Sequence, residues 1–259
     1  MSDESSTMMS MTELLTAVEA LSAQTTDVTL SSSYLLGFDT ETTGISPSRD
    51  AIVSATLVLR DPAADHDGDV VGEWVINPHQ PISAGASAVN GFTNEFLQEH
   101  GAEPVDALEE IARVIAAAQN KRIPLLAYNA GFDLHMLNGD LARWDLPTLE
   151  QRLTEAHETL IVDPLVIDRA VSHRKGKRTL TDTTFYYGVH PYGDFHDATA
   201  DTIAAVDLIA PMTTLYPQAG LIPLGDLMEW QRDAHQKWAV SFNEWLAAKG
   251  RHPVSTKWL

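Results

Sequence analysis

Cysteine is absent from the 259 residues of this chain. That absence excludes disulfide scaffolds, zinc fingers, iron–sulfur ligation and thiol nucleophiles, and it fits a reducing, cytoplasmic setting. Positive charge is scarce: 17 Lys and Arg stand against 36 Asp and Glu, a formal charge of −19. The balance argues against a protein that coats nucleic acid through bulk positive charge. It leaves open a site where metal ions on clustered carboxylates receive a phosphate. Long apolar runs are missing as well. None approaches the roughly 20 residues of a bilayer span, and the opening MSDESSTMMSMTELL is acidic and leads into no apolar stretch, so neither a membrane contact nor a secretory leader is expected.

What is present is an ordinary globular composition, 44% hydrophobic and 20% charged, in a chain long enough to bury up to about 75% of its unfolded surface. Three regions are expected. Residues 1–33 read as a polar, partly mobile extension with a short amphipathic pattern at Thr12–Ala23 and a Ser/Thr-rich linker. Residues 34–217 hold the main domain. There YLLGF before Asp39, then Ala51–Arg60 and Val70–Pro78, read as three strands of an antiparallel meander. The spacing of Val105, Leu108, Ile111, Ala112 and Ile115 predicts a helix over Pro104–Gln119. Arg122–Ala130 and Thr159–Ile167 read as helix-separated strands, which implies parallel crossovers, and Thr179–Tyr187 and Ala198–Leu215 read as helices. In residues 218–259, Leu227, Trp230, Ala234, Trp238, Phe242 and Trp245 share one stripe of a helix from Leu224 to Lys249, a pattern expected to serve core packing.

Carboxylates recur where chemistry is expected. Asp39 and Glu41 are two apart at a strand end, so both project to one face and repel; a hard divalent cation is the natural compensation. Asp133 follows another apolar strand at the start of a helical pattern, where an acid also suits the macrodipole. His196 and Asp201 are five apart, about 140° out of phase on a helix. The reading that follows places His196 on the loop before the helix, Asp197 at its cap and Asp201 inside it.

In order and spacing, GFDTETTG around Asp39 and Glu41, the N-x-x-F-D of Asn129 to Asp133 and the H-x-x-x-x-D of His196 to Asp201 resemble the three exonuclease motifs of the DEDDh family. The proofreading subunit of bacterial DNA polymerase III, RNase T and oligoribonuclease belong to that family. The likeness covers about Tyr34 to Leu215 and includes INP at Ile76–Pro78 and SAVNGFT at Ser87–Thr93. It implies an α/β, ribonuclease H-like exonuclease fold: a mixed five-stranded sheet flanked by helices. It implies 3′-to-5′ hydrolysis of DNA ends to nucleoside 5′-monophosphates, with RNA as the alternative substrate. Two divalent ions, Mg2+ or Mn2+, are implied on Asp39, Glu41, Asp133 and Asp201, with His196 as general base. A sister branch carries tyrosine one residue closer to the last acid; Asp197 stands there in this chain, so the histidine branch is implied.

The resemblance also places Thr40, Thr42, Val89, Asn90 and Phe132 beside the terminal nucleotide, although relatives often carry histidine at the position of Asn90. The dense basic run from His173 to Arg178 offers Arg174, Lys175, Lys177 and Arg178 as phosphate contacts for an incoming strand, against the plainer reading of a solvated loop. Expected partners are DNA or RNA 3′ ends and a DNA polymerase on a separate chain. An alternative from another class is an inactive exonuclease-like module that docks a polymerase or nucleic acid through the tryptophan-rich helix. The five intact positions argue against it. DPAADHDGD has no register that matches a calcium-binding loop.

Overall fold

The computed structural model describes residues 13–64, 66–154, 158–190 and 198–259. In chain order its main elements are β1 (Leu35–Thr42), β2 (Ile52–Arg60), β3 (Val70–Val75), α1 (Ala84–Asn90), α2 (Asn94–His100), α3 (Pro104–Asn120), β4 (Leu125–Leu126), α4 (Gly131–Arg143), β5 (Ile161–Val162), α5 (Pro164–Val171), α6 (Leu180–Tyr187), α7 (Ala198–Asp207), α8 (Ile209–Leu215) and α9 (Leu227–Ala248). The strands form one sheet in the order β3-β2-β1-β4-β5. The β1–β2 and β2–β3 pairs are antiparallel, and the β1–β4 and β4–β5 pairs are parallel. The meander and the two crossovers expected from the sequence are therefore both present, and the carboxyl ends of β1, β4 and β5 share one edge.

Helices cover both faces of the centre, which is why every residue of β2 is buried and its sequence runs apolar rather than alternating. The ladders of β4 and β5 are only two residues each, shorter than the expected strands: after β4 the chain turns away at Asn129, whose φ is +66°, and β5 passes at once into α5 through the cap Asp163 and Pro164. The expected helix over Ala198–Leu215 divides at Leu208. Pro211 accounts for the break: it has no N–H to donate and its ring crowds the carbonyl of Asp207. The short helices α1 and α2 are set by caps rather than periodicity, with Ser83 Oγ accepting from Ala86 N and Thr93 Oγ1 from Phe96 N.

The two ends of the chain add detail to the expected picture. Residues 13–33 of the extension pack against the domain: Leu14 and Val18, one helical turn apart, are fully buried, Gln24 N donates to Lys121 O at 2.8 Å, and Leu30 N donates to Ile222 O at 3.0 Å. Residues 1–12 lie outside the described set. The stripe serves the core only at its start, where Leu227 is fully buried and Trp230 packs against the core. The buried residues of α9 are Leu227, Met228, Gln231, Ala239 and Leu246, while Trp245 is 48% exposed. Gln231 fixes this rotation. Its amide accepts from Asp163 N at 2.8 Å and donates to Ile161 O at 2.8 Å, so the glutamine face of α9 lies on the edge of β5 and turns Trp238 and Trp245 aside.

Candidate active site

Asp39 and Glu41 stand opposite Thr56 and Ser54 of β2, on the same face of β1 as Gly37, and a register shift between Glu41 and Thr42 ends the strand. Helix α7 lies on that face. It can do so because residue 37 has no side chain: a Cβ there would come within 2.6 Å of Val206 Cγ2 and 2.8 Å of Thr202 Cγ2. The close approach brings Asp201, in the first turn of α7, over the strand that carries Asp39. Thr199 steadies the same turn, with its Oγ1 3.1 Å from that of Thr56.

Thr40 points to the opposite face and reaches Asp133 in the first turn of α4. Its amide and hydroxyl both donate to Asp133 Oδ1, at 3.1 and 2.7 Å. Two further bonds hold that turn in place. Asp163 accepts from Asn129 N at 3.0 Å and from Ala130 N at 3.1 Å while capping α5 through Leu165 N. Farther along α4, buried Asp140 accepts from Ile52 N at 2.8 Å, and Arg143 donates to Asp50 O at 2.8 Å. The rear of the helix is thereby tied to the loop between β1 and β2.

The electrostatics follow from this convergence. Asp39 is held well above the usual carboxylate range, first by burial and then by the charges of Asp133, Glu41 and Asp201. Burial pushes Asp133 up to about 7, against the opposing hydrogen bonds from Thr40. The four acids thus sense one another, although among the described residues no three side chains converge into a ready-formed metal shell. Their hard oxygen donors and like charges are of the type that a divalent ion of the Mg2+ class takes. The residues present fit such an ion.

The remaining candidates separate. His196 and Asp197 lie outside the described residues. Thr42 spends its hydroxyl on Gly44 O at 2.6 Å, and its carbonyl accepts from Asn90 Nδ2 at 3.2 Å. Asn90 thereby ties the end of α1 to the end of β1, and its neighbour Val89 is 58% exposed. Phe132 is half-buried next to Asp133. The basic run splits in two: Arg174 and Arg178 turn inward onto Asp168, which is fully buried and also accepts from Tyr187 Oη at 2.8 Å. Lys175 and Lys177 remain exposed.

Sequence reasoning missed Asp163, which organises the loop before Asp133, and Asp168, which organises the basic run. Asp163 carried a legible signal, an acid directly before Pro164 at the end of an apolar run, which is the pattern of a helix cap followed by a first-turn proline.

Comparison with known proteins bears on this geometry. The family model described as "Exonuclease" (RNase_T) matches residues 36–209. The DNA polymerase III PolC-type protein of Streptococcus suis is 28% identical over 134 residues, 51% of this chain and 8% of that protein. Its counterpart in Streptococcus pyogenes serotype M1 is 29% identical over 144 residues, 53% of this chain and 9% of that protein. The chain thus spans less than a tenth of these curated relatives. Among solved structures, E. coli exonuclease I with a dT13 oligonucleotide superposes with a TM-score of 0.58 at 18% identity over 72% of this chain and 42% of that one. The complex of the same enzyme with dA16 gives 0.61 at 17% over 81% and 45%. The fold is that of the ribonuclease H-like exonucleases, as the motifs implied.

Proposed function

Because the chain belongs to the exonuclease (RNase_T) family, we propose that it removes nucleotides from the 3′ end of single-stranded or frayed DNA as nucleoside 5′-monophosphates, with Mg2+ or Mn2+. The observation that carries the reading is the state of Asp39, a carboxylate at the end of the central strand whose burial and three acidic neighbours hold it far above its ordinary range. DNA is preferred over RNA because the similar structures include exonuclease I with dT13 and dA16 and the similar sequences are DNA polymerases.

In this reading Asp39, Glu41 and Asp201 offer oxygens to the ions from one face of β1, and Asp133 does so from the other. Divalent ions bound there would neutralise the phosphate, activate a water and stabilise the leaving oxygen. Asp133 has its Oδ1 anchored by Thr40, which leaves Oδ2 to accept from water. His196 takes the proton of the attacking water, a task suited to an imidazole. Phe132 and Val89 bear on the last bases, a contact that tolerates any sequence. A DNA polymerase on a separate chain is the proposed partner.

The test is a panel of 5′-labelled substrates: single-stranded DNA, matched duplex, a mismatched 3′ end and short RNA. Shortening from the 3′ end is expected to stop in EDTA and to resume with magnesium or manganese. Undiminished cleavage in excess chelator overturns the metal assignment, and faster cleavage of RNA than of DNA overturns the substrate.

A further inference from the structure

Trp230, Trp238 and Trp245 of α9 line a groove of about 680 Å³ between α9 and the end of α5, within the 300–1,000 Å³ of ordinary ligand sites. Its wall is an aromatic ladder. Trp238 and Phe242 stack with centroids 5.2 Å apart and ring planes 18° apart, and Phe242 and Trp245 stack at 5.5 Å and 12°. The guanidinium of Arg169 sits 3.6 Å from the centroid of the Trp238 ring, and its Nε is buried with no hydrogen-bond partner among the described residues. Arg251 stands over Trp245 at 5.9 Å.

The local charge is opposite to that of the chain. Among the described residues that line the groove, Arg169 and Lys237 stand against a single acid, Asp233, in a protein with 36 acids to 17 bases. Lys175 and Lys177 continue the positive strip on the adjoining loop. The groove is joined to the candidate site through α5: the helix starts directly after Asp163, whose carboxylate holds the loop before Asp133, and Arg169 is about 9 Å farther along that helix at 1.5 Å per residue. Stacked aromatics flanked by cations suit a single strand of nucleic acid, which offers flat bases and a polyanionic backbone together.

We propose that this ladder binds the single-stranded stretch upstream of the 3′ end held at the four acids, so that α9, which lies outside the family match, lengthens the substrate grip of the exonuclease. The proposal rests on the functional reading above, and its test can fail separately. Binding is measured by fluorescence anisotropy with the full-length Asp39→Asn protein, magnesium, and 5′-fluorescein oligo-dT of 4 and 12 nucleotides. The 12-mer is expected to bind at least tenfold more tightly than the 4-mer. Trp245→Ala and Lys237→Glu, both at exposed positions, are expected to weaken the 12-mer, Trp245→Ala by about tenfold for the removal of one base stack, and to leave the 4-mer unchanged. Circular dichroism on each variant checks the fold, and Lys237→Glu stands in should Trp245→Ala fail to fold.

Parent and variants binding the 12-mer equally overturns the proposal and assigns the ladder to another partner, a protein surface included. A 12-mer that binds no more tightly than the 4-mer overturns it as well. Active parent protein run on the substrate panel separates the two readings: cleavage without length-dependent binding removes the groove alone, and no cleavage of any substrate with either metal removes the exonuclease reading.

Discussion

Asp133 and Asp168 are equally hidden, 2% and 0% exposed, yet they are compensated in opposite ways. Asp168 is closed within the protein by Arg174, Arg178 and the phenol of Tyr187. Asp133 receives the neutral donors of Thr40, with Asp39, Glu41 and Asp201 gathered around the same strand end. Burial therefore does not mark a functional carboxylate; what neutralises it does. One cluster brings two arginines onto a single acid, while the other gathers like charges that repel, which in the proposed function is where the metal ions bind.

The sharpest way to break this contrast is Asp39→Asn. Hydrolysis is expected to fall by about 10³ or more, equivalent to at least about 4 kcal/mol of barrier, in a gel assay on single-stranded DNA. The melting temperature of the chelated variant is expected to equal or exceed that of the parent, because a repelling charge has been removed. Asp168→Ala should do the reverse. Removing one partner of a buried ion pair costs about 3–5 kcal/mol, visible as a drop in melting temperature on the order of 10 °C. The specific activity of the folded protein at low temperature should survive.

A smaller effect follows from pH. Burial holds Asp133 at about 7 in the folded, metal-free protein, whereas in the unfolded chain an aspartate titrates near 3.9. The folded state binds more protons between these values, so stability in EDTA should decline from about pH 4 to pH 7, and Asp133→Asn should flatten that decline. A melting temperature that rises over the same range contradicts the assignment. The mildest test divides the basic run. Lys175→Gln with Lys177→Gln should leave the melting temperature alone and lower the log–log salt slope of single-strand binding by about 0.7 for each phosphate that is no longer neutralised. Arg174→Gln should instead destabilise the fold.

The acids themselves were legible because strand alternation and short motif spacing are local properties: Asp39 and Glu41 share a face by period alone. The roles of Arg174 and Arg178 were not legible. Nothing near them in sequence separates an arginine that greets a phosphate from one that turns onto Asp168, a residue enclosed by the basic run and by Tyr187 of α6. The tryptophan stripe was legible only in part, for a related reason. Helical spacing identifies a face but not which of two neighbouring faces meets the sheet, and Gln231, a polar residue that no motif singles out, decides that. Gly37 likewise gave no hint that its missing side chain sets the approach of α7.

Gln231 has a consequence for how the protein is made. Its side chain occupies the position of a sixth strand, meeting the edge of β5 at Asp163 from 68 residues farther along the chain. While the chain is being synthesised, everything that the family model matches, through residue 209, leaves the ribosome before that glutamine does. In that interval β5 presents an open edge to which another nascent copy can pair. The last long helix closes this window when Gln231 reaches that edge.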